Sequence, residues 1–149
     1  MGCDAAILNK VGFIGLGAMG APMAGHLHAR QLLSAVGNRT IAKAIAFAGQ
    51  HGVAVAETAS GFSACQAVVL CVSKDDDVLT CCRELAAVLA PGALVIDHST
   101  VARETALAAA ELLRKSSIDF LDAPVSGGVE GATEHGRDRL ERFIHGFGD

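Results

Sequence analysis

Residues 10 to 27 read KVGFIGLGAMGAPMAGHL, and the fold turns on how this stretch divides. Lys10–Ile14 is a short apolar run of the kind that forms a strand. Ala18–Arg30 follows with the spacing of a helix. Between them Gly15-Leu16-Gly17-Ala18-Met19-Gly20 spells G-x-G-x-x-G. In that position each glycine has a use. Gly15 permits a tight turn, Gly17 lets the backbone approach a pyrophosphate, and Gly20 lets the helix pack close to the strand. The phosphates then meet the helix N-terminus, where free amide N–H groups and the dipole favour an anion. The alternative is a tight strand–helix turn that holds no ligand.

The pattern repeats outward from this unit. Leu33–Val36, Val53–Ala56, Ala67–Val72, Ala93–Ile96 and Ile118–Leu121 read as further strands. Ile41–His51, Asp75–Leu89 and Ala102–Lys115 read as the helices between them, with Pro91-Gly92 closing one. Continuous apolar runs, as opposed to alternating ones, mark strands covered on both faces. Strands alternating with helices imply βαβ units and a parallel sheet. The expected fold is therefore α/β: a Rossmann-type doubly wound parallel sheet in three layers, with residues 1–134 as the nucleotide-binding domain and 135–149 as an atypical tail. Arg137, Arg139 and Arg142 fall in that tail.

The end of the second strand selects the cofactor. An NAD site offers Asp or Glu there to the ribose 2′-hydroxyl. This chain has Val36-Gly37-Asn38-Arg39-Thr40, and no carboxylate until Glu57. An arginine fork suits a 2′-phosphate and stacks on adenine, and Thr40 adds a hydroxyl. The residues thus point to NADP(H). Their plain alternatives are a solvated surface arginine and a helix cap.

Ligands of open α/β sheets lie beyond the carboxyl ends of the strands, so the other ends matter too. The fourth strand ends Cys71-Val72-Ser73-Lys74-Asp75-Asp76-Asp77, where capping and dipole compensation account for the aspartates. The fifth ends Asp97-His98-Ser99-Thr100, whose hydroxyls either reach a nicotinamide or cap the next helix. His98 shows no partner that would make it a base. The sixth ends Asp122-Ala123-Pro124-Val125-Ser126-Gly127-Gly128, a turn whose amides and hydroxyl suit a carboxylate. Asp122 reads as a carboxylate that hydrogen-bonds this loop more readily than as an acid catalyst.

Composition narrows the classes. The 149 residues carry a formal net charge of −4 and neither Trp nor Tyr, which argues against nucleic acid and anionic membrane as partners. No apolar run approaches the ~18 residues of a membrane span, and no secretory leader is expected. The five cysteines fit no zinc spacing and read as inert thiols of a cytoplasmic protein.

With these residues in place the sequence resembles the β-hydroxyacid dehydrogenase family, which includes 3-hydroxyisobutyrate dehydrogenase, tartronate semialdehyde reductase and the glyoxylate/succinic semialdehyde reductases. The resemblance runs from Lys10 to Ala132. It rests on GFIGLGAMGAPMAGHL (Gly12–Leu27), DHST (Asp97–Thr100) and DAPVSGGVEGA (Asp122–Ala132). It implies hydride transfer between NADP(H) and a small hydroxy acid or semialdehyde, in an enzyme with a further helical domain. By the same resemblance Gly15, Leu16, Gly17, Ala18 and Met19 line the pyrophosphate, and Asn38, Arg39 and Thr40 hold the adenosine end. Val72, Ser73 and Asp77 line the nicotinamide side, Thr100 faces the nicotinamide, and Ser126, Gly127 and Gly128 grip the substrate carboxylate. The family's catalytic lysine would fall beyond residue 149, so no catalytic residue is assigned. The expectation is the cofactor half of a site, with self-association through the edge at the sixth strand. The competing expectation is a non-catalytic NADP-binding module.

Overall fold

The computed structural model of the protein describes residues 8–124. The substrate-loop residues Ser126, Gly127 and Gly128 and the 135–149 tail lie outside the described residues.

All six expected strands form, as β1 (Val11–Ile14), β2 (Leu33–Gly37), β3 (Ala54–Val55), β4 (Ala67–Leu70), β5 (Leu94–Asp97) and β6 (Asp119–Asp122). Four α-helices alternate with them: α1 (Gly20–Ala29), α2 (Ile41–His51), α3 (Asp75–Ala86) and α4 (Arg103–Arg114). A 3₁₀ turn at Ala59–Phe62 precedes β4. Every strand pairing is parallel, and the spatial order is β3-β2-β1-β4-β5-β6. The order therefore reverses between β1 and β4. That is the switch point at which two neighbouring strand ends diverge and open a crevice.

Strand side chains alternate between two cores. Val11, Phe13, Val36, Val69 and Ile96 face α1 and α2, meeting Met23, Leu27 and Phe47. Ala35, Val68, Leu70 and Val95 face the opposite layer, meeting Val78 and Leu85 of α3, Leu113 of α4, and Phe62 of the 3₁₀ turn. Both faces being covered explains why β4 is buried along its whole length. The result is the expected three-layer α/β Rossmann-type sheet.

The differences from the expected boundaries have local causes. β4 ends at Leu70, not Val72: the Val72 amide bonds the Ser99 side chain in place of a neighbouring strand, and Cys71 and Val72 form the lip of the crevice. α2, by contrast, ends at His51 as expected, because Gly52 takes a left-handed conformation, at φ 73°, and its amide donates to Ala48 O at 2.7 Å. α1 begins at Gly20, two residues later than expected, because Ala18 and Met19 still belong to the glycine turn. On β6, Phe120 and Leu121 are half-buried. The large exposed apolar side chains among the described residues lie instead on α2 (Ile41, Ile45) and α4 (Leu107).

Candidate functional site

The glycine loop is fixed by its backbone. Gly15 has φ 105°, and a Cβ there would run into the carbonyl of Cys71 at the end of β4. Only glycine meets both conditions. A Cβ on Gly20 would run into the carbonyl of Gly15, so α1 can approach β1 only without one. Gly17 differs, because a Cβ there would meet nothing within 4 Å. Its want of a side chain serves no contact within the fold and leaves the loop surface bare toward the crevice.

Beside this loop the N-terminus of α1 carries no acidic residue in its first turn and no side-chain cap. α3, by contrast, opens with Asp75, Asp76 and Asp77. The positive end of the α1 dipole is therefore uncompensated where an anion would sit.

Asn38 ties the second strand to the loop. Its Oδ1 accepts from the Leu16 amide at 2.8 Å, and its Nδ2 donates to Thr40 O at 3.0 Å. Both ends of the side-chain amide are thus engaged within the protein. Asn38 thereby shapes the cradle as well as lining the cleft.

The crevice itself is a cleft of about 510 Å³, within the range of small-ligand sites. Of the expected residues, Gly15, Gly17, Asn38, Arg39, Thr40, Val72, Ser73 and Asp77 line it. Leu16, Ala18, Met19 and Thr100 do not. Leu16 is buried, Ala18 is exposed, Met19 packs against the core, and Thr100 is exposed beyond β5. Thr100 does not cap α4 either. That helix is capped from outside by Asp75, whose Oδ2 accepts from the Ala102 amide at 3.0 Å and from Thr105 Oγ1 at 2.7 Å.

Asp77, expected on the nicotinamide side, sits across the cleft from Arg39. Arg39 Nη1 lies 3.3 Å from its Oδ1 and 3.4 Å from its Oδ2. The sequence reading also passed over Lys43, Glu57, Thr80 and Glu84, all of which line the cleft. Lys43 had a usable signal, since it lies one turn into the helix that follows Arg39. Thr80 and Glu84 had one too, since they follow Asp77 at the spacing of one helix face, whereas Glu57 reaches the cleft by tertiary packing.

Ser99, whose hydroxyl was read as reaching a nicotinamide or capping the next helix, bonds the neighbouring lip. Its Oγ accepts from the Val72 amide at 2.9 Å, and its amide donates to Asp97 Oδ1 at 2.9 Å. It fastens the lip after β4 to the end of β5. Asp97 is fully buried, and its Oδ2 has no hydrogen-bond partner among the described residues. Burial pushes its carboxyl above the ordinary carboxylate range, against the opposing hydrogen bonds from Ser99. His98, weighed as a base, is buried, and its Nδ1 lies 2.6 Å from Ala123 O, which ties β5 to the chain beyond β6. Burial also pushes Cys71 up to about 11, and Cys81 and Cys82 up to about 12, so none is a ready thiolate. No helix among the described residues is long and apolar enough to cross a membrane.

Comparison with known proteins agrees with this geometry. Residues 10–137 match the family model of the NAD binding domain of 6-phosphogluconate dehydrogenase. An uncharacterized oxidoreductase of Shewanella frigidimarina is 42% identical over 129 residues, covering 84% of this chain and 44% of that protein. Among solved structures, the 3-hydroxyisobutyrate dehydrogenase of Mycobacterium tuberculosis with L-serine superposes with a TM-score of 0.80 at 28% identity, covering 93% of this chain and 51% of that one. Psf3 in complex with NADP+ and 2-OPP superposes with a TM-score of 0.76 at 30% identity, covering 92% of this chain and 54% of that one. The chain thus spans about half the length of the relatives it matches.

Proposed function

The chain belongs to the family of the NAD binding domain of 6-phosphogluconate dehydrogenase, among 3-hydroxyisobutyrate dehydrogenase-like oxidoreductases, and from that premise we propose that it binds NADP(H) as the cofactor half of such an enzyme. The observation that carries the choice of NADP(H) is the cationic end of β2. Arg39, Thr40 and Lys43 line the cleft together where an NAD site would place a carboxylate. The complex of Psf3 with NADP+ is in keeping with it.

The residues fit the dinucleotide on the protein's own terms. The bare Gly17 surface and the uncapped start of α1 offer amide donors to a pyrophosphate. Arg39 and Lys43 supply charge for a 2′-phosphate, and Thr40 supplies a hydroxyl. Val72 and Ser73, on the lip fastened by Ser99, border the side where the nicotinamide would lie. When bound, the cofactor supplies the hydride. The protein orients it and shields one wall of the cleft from water. Ser126, Gly127 and Gly128 are proposed to hold the carboxylate of a small hydroxy acid or semialdehyde.

Calorimetric titration with NADPH and NADH tests the reading. NADPH is expected to bind more tightly. Arg39→Ala is expected to weaken NADPH by about tenfold or more while leaving NADH nearly unchanged, since a hydrogen bond to a charged group contributes about 1.5–3 kcal/mol. Equal binding of both cofactors by the unaltered chain would overturn the choice of NADP(H).

A further inference from the structure

Arg39 does not project alone into the cleft. Its guanidinium spans to Asp77 on α3, 38 residues away in sequence. A single nitrogen, Nη1, straddles both carboxylate oxygens at 3.3 and 3.4 Å, which is longer and less directed than the two-nitrogen fork arginine makes with its best partners. The arginine side chain is 72% exposed and the aspartate 26%. A pair of that kind is easily exchanged for a stronger anion. The same wall of α3 adds Glu84, and the end of β3 adds Glu57, so the cleft around Arg39 and Lys43 also carries carboxylates.

We propose that Asp77 is a specificity-determining residue: it occupies the Arg39 guanidinium until a phosphate displaces it, and so sets how strongly the chain prefers a cofactor bearing a 2′-phosphate. This rests on the 2′-phosphate reading of Arg39. Binding NADP(H) then includes an exchange of anions at one guanidinium, whereas binding NAD(H) leaves the Arg39–Asp77 pair intact. Asp77 therefore works against the larger cofactor and moderates the selectivity that Arg39 confers.

Titrations of the whole chain with NADPH and NADH test this with Asp77→Asn, Arg39→Ala and the double variant. Asp77→Asn is expected to tighten NADPH by about two- to fivefold, the scale of a surface ion pair, with NADH nearly unchanged. Asp77→Ser is expected to act in the same direction. In the Arg39→Ala background, Asp77→Asn is expected to give no gain, because no guanidinium remains to release. Unchanged or weaker NADPH binding by both Asp77 variants, melting like the unaltered chain, would overturn the proposal while the Arg39 reading stood. A gain of the same size without Arg39 would also overturn it, since Asp77 would then act by direct repulsion. Failure of Arg39→Ala to alter the ratio of the two affinities would instead sink the 2′-phosphate reading beneath it.

Discussion

The Val72 amide donates to Ser99 Oγ at 2.9 Å, which makes the second residue after β5 the anchor of the lip after β4. Ser99 is buried, so this bond has little competition from water. In Ser99→Ala the Val72 amide loses its acceptor. The expected cost is about 1–3 kcal/mol of stability, measured by denaturant unfolding, with weaker cofactor binding because Val72 and Ser73 border the cleft. Unaltered melting and binding would mean that other contacts hold the lip.

The glycines of the loop separate folding from binding. Gly15→Ala forces a Cβ into a left-handed backbone and against Cys71. It is expected to cost stability, about 1–3 kcal/mol from the backbone alone. Gly17→Ala meets open space and is expected to melt within about 0.5 kcal/mol of the unaltered chain, yet to lose most dinucleotide affinity. Thermal unfolding paired with NADPH titration reads both effects.

Asp75 makes the α3–α4 junction sensitive to acid. The Thr105 hydroxyl and then the Ala102 amide hold its carboxyl below its ordinary value of 3.8. On acidification the unfolded chain takes up this proton before the folded one. The stability Asp75 contributes is therefore present above its unfolded value and lost as pH falls through the lower, folded one. Asp75→Ala is expected to melt at a lower temperature near neutrality, and the gap should narrow below about pH 4. A constant gap across the range would show that Asp75 acts by packing and not by charge.

Burial pushes Cys71 up to about 11, and Cys81 and Cys82 up to about 12. At neutral pH all three are expected to resist alkylation in the native chain and to react on unfolding. Peptide mapping after iodoacetamide treatment distinguishes these sites. Rapid native labelling of Cys81, which lines the cleft from α3, would contradict the expectation.

The sheet was legible in the sequence because its strands are covered on both faces. Ala67–Leu70, for example, needs an unbroken apolar run, and such a run is visible without knowing its neighbours. The glycine loop was legible for a similar reason: Gly20 answers to a contact with Gly15 within one strand–turn–helix unit, although Gly15 itself also meets Cys71 beyond β4. What the sequence hid depends on distance. Asp77 meets Arg39, and Ser99 meets Val72, across separations that no local pattern encodes. Asp75 looked like a dipole partner for its own helix and proved to cap the next one. The 3₁₀ turn at Ala59–Phe62 went unread because its residues show no periodicity, and Phe62 is fixed instead by packing over Gly12 and Gly37.

The strand order has a consequence for how the chain is made. β1 pairs with β2 on one side and with β4 on the other. During synthesis β2 emerges after a single helix, whereas β4 emerges only after α2, β3 and the 3₁₀ turn. At ribosomal speeds that interval lasts on the order of seconds. Throughout it β1, the apolar centre of the finished sheet, has one edge without a partner, a template for pairing with other nascent chains. The crevice between β1 and β4 thus gains its second wall only when β4 arrives, and the open edge of β1 persists until just before the nucleotide cradle exists.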